Sequence, residues 1–264
     1  MSVASTGQVS MCDVSKTFTL KVDGQIQTVQ ALKSVNFDVG QAEIVTLIGP
    51  SGCGKTTALR ILMGLETASR GKVTVGGKQV NGCGYDRGLV FQHAELLPWL
   101  TAAQNVMFGL EMKGMRGPEL KETALRYLDL VGLKDAANRR PYQLSGGMKQ
   151  RVGIARALAI DPQVLLMDEP FGALDAQTRE TLQGELLEIQ ARTKKTIIFV
   201  THDLDEAVLL ADRIIVMRSG SIQETIHVPL PRPRGNLGAL RGTPEFADAR
   251  YRVWKALHGA EAVH

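Results

Sequence analysis

Two kinds of apolar pattern follow one another along the chain. From Gln8 to Lys16, and again from Val29 to Val39, apolar and polar residues alternate as in half-buried strands, with the polar, turn-forming segment Lys21–Gln25 between them. This predicts an antiparallel hairpin. Glu43–Ile48 is then an apolar, β-rich run, Ala58–Met63 reads as a helix, and Gly71–Gly77 reads as a short strand with a glycine turn. Gly88–Phe91 is a buried strand ending at Gln92. From His93 to about Ile160 the strand signal fades and helical patterns replace it. Leu120–Leu130 is amphipathic, and Met148–Ala159 runs with few breaks and bears Arg151 and Arg156.

Strands return after Pro162. Val164–Met167 is fully apolar and ends in Asp168-Glu169-Pro170; a helix over Thr178–Arg192 and an apolar strand over Thr196–Val200 follow. Next come Thr201-His202-Asp203, a helix over Leu204–Ala211 and a strand over Arg213–Met217. Apolar runs that alternate with helices predict a parallel sheet covered on both faces, here with a helical insertion. Ligands of such sheets sit at the C-terminal ends of the strands, where Gln92, Asp168, Glu169 and His202 are all placed. The alternate prolines of Val228–Gly235 exclude helix and favour extended chain. Pro244–His258 reads as a helix whose apolar side, Phe246, Val253, Trp254 and Leu257, is expected to pack on the protein's own body, with a partner surface as the less favoured alternative.

Composition narrows this little. The chain has 264 residues, is 44% apolar and carries a net charge of +4, spread along its length. That supports a substantial core and does not mark a nucleic-acid partner. No apolar run approaches the length of a membrane span, and the first seven residues lack the basic start and apolar centre of a signal peptide. Cys12, Cys53 and Cys83 are odd in number and show no metal-ligand spacing, which fits free thiols in a reducing compartment.

The candidate chemistry begins at Gly49-Pro50-Ser51-Gly52-Cys53-Gly54-Lys55-Thr56, followed by Thr57. It fits G-x-x-x-x-G-K-[ST], the phosphate-cradling loop, and it lies between a predicted strand and a predicted helix, as that loop must. Its glycines let backbone N–H groups converge on phosphates at a helix N-terminus. Lys55 would reach the β- and γ-phosphates, and the Thr56 hydroxyl would ligate Mg²⁺. Cys53 inside this cradle is expected to be reactive, because a helix N-terminus favours thiolate. An apolar strand ending in Asp168 is the Walker B pattern, whose carboxylate holds Mg²⁺, and the adjacent Glu169 is suited to take a proton from an attacking water.

Leu144-Ser145-Gly146-Gly147-Met148-Lys149-Gln150-Arg151 opens a long helix and makes a second anion site. One nucleotide is not expected to fill both helix N-termini, since they lie on different lobes; two facing chains could let each cap the other's nucleotide. Phe18, past the first strand, reads either as an ordinary core aromatic or as a face for an adenine ring.

Together these motifs resemble the ATP-binding subunit of an ABC transporter over roughly residues 8–225, leaving 226–264 as a C-terminal tail. The resemblance implies a P-loop NTPase (RecA-like) α/β core with an N-terminal antiparallel β subdomain and a helical signature subdomain at about 93–160. Ser145–Gln150 is similar to the family signature, with Met148 where glutamine is commonest. The family implies ATP and Mg²⁺ as cofactors and a head-to-tail homodimer in which Ser145, Gly146 and Gly147 cap the partner's nucleotide. It places Phe18 against adenine, Gln92 at Mg²⁺ and toward the membrane partner, and Asp175 between the two sites. Glu169 becomes the catalytic carboxylate and His202 the switch histidine, with Lys55 and Gln92 completing the catalytic set and Thr56, Gln92 and Asp168 the metal set. Leu96–Thr101 resembles the importer surface that receives a permease, and Val228–Gly235 resembles the nitrate, sulfonate and taurine importer group. That implies a separate integral-membrane permease, an indirect extracytoplasmic solute-binding protein, and a peripheral place on the cytoplasmic face of the inner membrane. An exporter cassette or a soluble ATPase of the same class are the alternatives. A phosphotransferase would carry no Ser145-Gly146-Gly147.

Overall fold

The structure is a computed structural model that describes residues 9–22 and 25–259. Strands β1 (Val9–Val22) and β2 (Gln25–Val39) form the hairpin, followed by β3 (Ile44–Ile48) and α1 (Lys55–Met63). Then come β4 (Arg70–Val75), β5 (Lys78–Gln79) and β6 (Arg87–Val90). The helical insertion comprises α2 (Ala102–Met112), α3 (Pro118–Leu130) and α4 (Gly146–Ala159). The second half contains β7 (Val164–Asp168), α5 (Ala176–Thr193), β8 (Thr196–Thr201), α6 (Leu204–Leu210), β9 (Arg213–Arg218) and β10 (Ser221–His227). Two helices, α7 (Leu237–Arg241) and α8 (Pro244–His258), close the described chain.

Two sheets organise these elements. One is antiparallel in the order β2-β1-β4-β5; the other runs β10-β9-β3-β8-β7-β6, parallel from β9 to β6 with β10 antiparallel at its edge. In the large sheet Val45, Leu47, Leu166, Ile198, Val200 and Ile215 enter one apolar cluster, shared with α1 and the small sheet. Their neighbours Ile44, Ile48, Leu165, Met167, Ile197, Phe199, Ile214 and Val216 enter the other, shared with the helical insertion, α6 and α8. A strand buried on both faces has no polar side to display, and so these segments read as unbroken apolar runs.

The hairpin is longer than its alternation indicated. Pairing continues through Phe18↔Val29 and Lys21↔Ile26 to Val22↔Gln25; Asp23 and Gly24, part of the expected turn, lie outside the described residues. Residues 26–30 are all exposed, and a strand exposed on both faces carries no alternation to read. Strand β10 was likewise illegible, because only Ile226 of its residues is buried. The tail helix runs over the expected span; Phe246, Ala249 and Val253 are buried, while Trp254 and Leu257 are half-buried. Before it, 228–236 contains no helix, and its arginines reach into the body. Arg234 donates to the carbonyls of Leu209 at 2.6 Å and Ala211 at 2.7 Å, and Arg232 to that of Leu210 at 2.9 Å. These guanidiniums satisfy the open carbonyl end of α6, where a cation is also favoured by the helix dipole. Burial of Arg234 lowers its pKa to about 10.

Candidate functional site

The sheet order fixes which loops meet. Since β3, β8, β7 and β6 are neighbours running the same way, the chain leaves each at one edge, and the loops bearing Lys55, His202, Asp168 with Glu169, and Gln92 line up along it. This is the ligand-binding edge of an open parallel sheet.

The Gly49–Thr56 loop is held from several sides. The Cys53 carbonyl accepts from Gly220 N at 3.0 Å, and Ala58 N donates to the Gly54 carbonyl at 2.9 Å. Two glycines are dictated by close approach. A Cβ at Gly49 would lie 2.2 Å from the Met217 carbonyl oxygen, and Gly54 has φ +107 with the Ala31 carbonyl oxygen 2.6 Å from where its Cβ would be. No L-residue with a side chain fits either place without moving backbone. Lys55 is buried, and its ammonium donates to the carbonyls of Gly49 at 2.7 Å and Pro50 at 3.1 Å, across the mouth of the loop. Pro50, Ser51 and Gly52 lie on its exposed rim, while Thr56 and Thr57 open the first turn of α1. The structure corrects the expectation for Cys53. Cys53 is 3% exposed and packs in the apolar cluster under the loop, which leaves its thiol without the solvent access that such reactivity requires.

Across the edge, the Thr56 hydroxyl donates to Asp168 Oδ1 at 3.5 Å, a long contact between two hard oxygen donors. Burial first, and then the neighbouring charge of Glu169, raise the Asp168 carboxyl above its ordinary pKa. Glu169 has φ +45, in the left-handed region, and is locked there by its N–H on the Val200 carbonyl at 3.0 Å and its carbonyl accepting from Gly172 N at 3.1 Å. Backbone strain of this kind persists only where surroundings over-determine it, and it concentrates at functional sites. It turns the carboxylate toward His202, whose Nδ1 lies 3.0 Å from Glu169 Oε2. His202 itself is exposed, free to meet a ligand with its other ring nitrogen. The Gln92 amide packs over Gly172, on the turn that follows Glu169.

The remaining candidates stand apart from this cluster. Ser145 caps α4, accepting from Met148 N at 3.2 Å, and among the described residues no hydrogen bond joins Ser145, Gly146 or Gly147 to Lys55, Asp168 or Glu169. Gly146 and Gly147 instead lie against Leu174 and Thr178, at the start of α5. Ser145 and Gly146 are exposed, whereas the side chain of Met148 is half-buried on the core. Asp175 is exposed at the cap of α5 and accepts from Thr178 N at 2.9 Å, which holds its carboxyl below the usual range. Phe18 is half-buried on β1, with Lys16 Nζ 4.8 Å over its ring.

One group went unnoticed in the sequence. Glu206 is 5% exposed, accepts from Gln183 Nε2 at 3.0 Å and from the Thr201 hydroxyl, and is raised above its ordinary pKa chiefly by burial. The spacing Asp203-x-x-Glu206 matches a helix capping box and could have drawn attention to it. The box is only half made, because Glu206 turns inward and Thr201 serves Asp203 N at 3.0 Å instead.

The family model described as ABC transporter matches residues 32–172. The nitrate import ATP-binding protein of Synechocystis is 43% identical over 259 residues, covering 96% of each chain. The taurine import ATP-binding protein of Pelagibacter ubique is 45% identical over 231 residues, 86% of this chain and 87% of its own. Among solved structures, a dimeric post-hydrolysis state of the ATP-binding cassette MJ0796 bound to ADP and Pi superposes with a TM-score of 0.74. It is 35% identical and covers 84% of this chain and 100% of its own. With a phosphate loop, a carboxylate pair and a histidine gathered on the edge of a P-loop NTPase sheet, the chain belongs to the ABC transporter family as an ATP-binding, ATP-hydrolysing cassette.

Proposed function

We propose that this cassette is the motor subunit of an importer for a small solute of the nitrate, sulfonate or taurine class, working as a homodimer on a separate membrane permease. The observation that carries the reading is the division of the site: Lys55, Asp168, Glu169 and His202 share one edge, while the helix N-terminus of Ser145-Gly146-Gly147 lies elsewhere, with Ser145 and Gly146 exposed. A second copy turned head to tail brings the missing anion site to the γ-phosphate held by the first.

In this reading Phe18 stacks on adenine, and the backbone of Gly49–Thr57 with Lys55 cradles the phosphates. Lys55 exchanges the carbonyls of Gly49 and Pro50 for phosphate oxygens. Thr56, Asp168 and Gln92 would hold Mg²⁺, which would supply screening of the phosphate charge; their hydroxyl, carboxylate and amide oxygens suit such a hard ion. Glu169 orients water and accepts its proton, and His202 steadies Glu169 through Nδ1 while its other face meets the γ-phosphate. Asp175 passes between the two composite sites. ATP closes the dimer because it binds the closed state better than the open one, and its hydrolysis reopens the dimer, so that each cycle reorients the permease.

The permease side is supported by exposed apolar groups: Trp99, within Leu96–Thr101, is 66% exposed, and on the following helix α2 Met112 is 57% and Phe108 42% exposed. Among the described residues no helix is long and apolar enough to cross a membrane, so the importer reading needs a separate permease. The cassette then sits peripherally on the cytoplasmic face of the inner membrane, meeting an extracytoplasmic solute-binding protein only through the permease.

Mixed subunits test the composite site. Ser145→Arg and Lys55→Ala should each abolish turnover alone. Mixed together they should recover part of it, because one of the two sites in the heterodimer is then intact. Failure of the mixture to recover activity, with both variants folded, would overturn the dimer reading. Solute-stimulated ATPase with a reconstituted permease tests the importer assignment, and indifference to every such permease would count against it.

A further inference from the structure

The loops that bear Asp175 and His202 belong to different strand–helix units, yet a buried polar cluster joins them. Asp175 caps α5, while Asp203, next to His202, caps α6 by accepting from Glu206 N at 2.9 Å. Arg179 and Gln183 are four residues apart on α5 and share one face of it. Gln183 Nε2 donates to Glu206 Oε1 at 3.0 Å. The Thr201 hydroxyl donates to the other Glu206 oxygen and accepts from Asp203 N at 3.0 Å. Arg179 donates to the Leu174 carbonyl at 2.9 Å, beside Asp175, and holds Asp203 more loosely at 3.9 Å.

The relative strengths decide which links matter. The Arg179–Asp203 pair is long and about a third exposed, so it contributes little. Gln183 and Thr201 are 2% exposed and Glu206 5%, and hydrogen bonds to a carboxylate in such surroundings are strong and costly to break. This cluster also reaches the proposed reaction centre. A cavity of about 40 Å³ is lined both by Glu169 and His202 and by Arg179, Thr201 and Glu206. Core packing alone does not call for three polar side chains here.

We infer that Arg179, Gln183 and Glu206 are positioning residues for hydrolysis: a polar strut, buried at Gln183 and Glu206, that makes the Asp175 loop and the His202 loop shift together. The inference rests on the roles proposed above for His202, Glu169 and Asp175. The strut acts through the Leu174 carbonyl and the cap of α6 and does not touch nucleotide. Since Asp175 faces the second copy and His202 faces the γ-phosphate, the strut carries the closure of the dimer into the placement of His202 and Glu169.

The test measures Glu206→Leu, Glu206→Gln and Arg179→Met, each with and without His202→Ala, by steady-state ATPase, by binding of a fluorescent ATP analogue and by thermal melting. Glu206→Leu and Arg179→Met should lower kcat roughly 10- to 100-fold, the scale of a displaced catalytic group, and leave nucleotide affinity nearly unchanged. Glu206→Gln should retain most of the turnover that Glu206→Leu loses. Thr201 can donate to the new amide oxygen, and Gln183 Oε1, buried without a partner, can accept from its NH₂. In the His202→Ala background Glu206→Leu and Arg179→Met should cost nothing further. An equal loss in both backgrounds would overturn the inference. Should Glu206→Leu fail to fold, Arg179→Met, at a partly exposed position, decides alone. A fully active His202→Ala would remove the role of His202, and the strut with it.

Discussion

Replacing Glu169 with glutamine isolates one chemical property. The amide has the same shape, so the φ of +45 and the backbone bonds to Val200 and Gly172 are untouched. The 3.0 Å contact with His202 Nδ1 also survives, since an amide can donate or accept there. A slower enzyme could therefore not be blamed on a displaced histidine. Nucleotide binding should persist, because Lys55, Thr56 and the loop glycines lie elsewhere, and loss of the Glu169 charge removes one of the two causes that raise the Asp168 carboxyl. What disappears is a proton acceptor beside the attacking water. Such a group is worth about 10²- to 10⁴-fold, or roughly 3–5 kcal/mol of barrier. Phosphate release under saturating MgATP should fall by that factor, while a fluorescent nucleotide still binds and light scattering reports a persistent dimer. Turnover within about 3-fold of the parent would refute Glu169 as the base.

Three further outcomes are expected. Gly49→Ala places a Cβ 2.2 Å from the Met217 carbonyl oxygen, a backbone atom that cannot swing aside. It should cost about 3 kcal/mol or more, seen as a lower melting temperature with loss of nucleotide binding; a parental melt would refute the packing argument. Phe246→Ala empties a site that is 4% exposed between the tail helix and the body. It should cost about 3–5 kcal/mol and lower Tm by roughly 10 °C, whereas a loss below about 1 kcal/mol would mean that the tail is not part of the core. Glu206→Gln should raise Tm by a few degrees at neutral pH, since it removes a buried charge, keeps the bond from Thr201 and replaces the one from Gln183 Nε2 by a bond to Gln183 Oε1. The sign follows from the raised carboxyl: the ionised form costs stability above its folded pKa, and that cost vanishes as pH falls. The gap between variant and parent should thus close in the acid range, and a gap that widens on acidification would contradict it.

Much of this protein is local chemistry written in order along the chain. Gly49–Thr56 declares a phosphate loop because a tight turn, a cradle of N–H groups and a charged reach need those residue types at that spacing. The unbroken apolar runs ending in Asp168 and His202 declare a doubly covered parallel sheet for the same reason. The tail helix was legible because Phe246 and Val253 fall on one face. Only the tertiary structure decided the rest. The burial of Cys53 depends on α1 and the small sheet closing over the loop, and the inward turn of Glu206 depends on Gln183, which is 23 residues away in sequence. The contact between Glu169 and His202 depends on β7 and β8 being neighbours in register, Asp168 opposite Val200, so that a strained residue on one strand end faces the histidine on the next. Sequence fixes which groups a strand delivers to its end; pairing between strands fixes which of those groups touch, because contacts between distant segments arise from packing that no local pattern records.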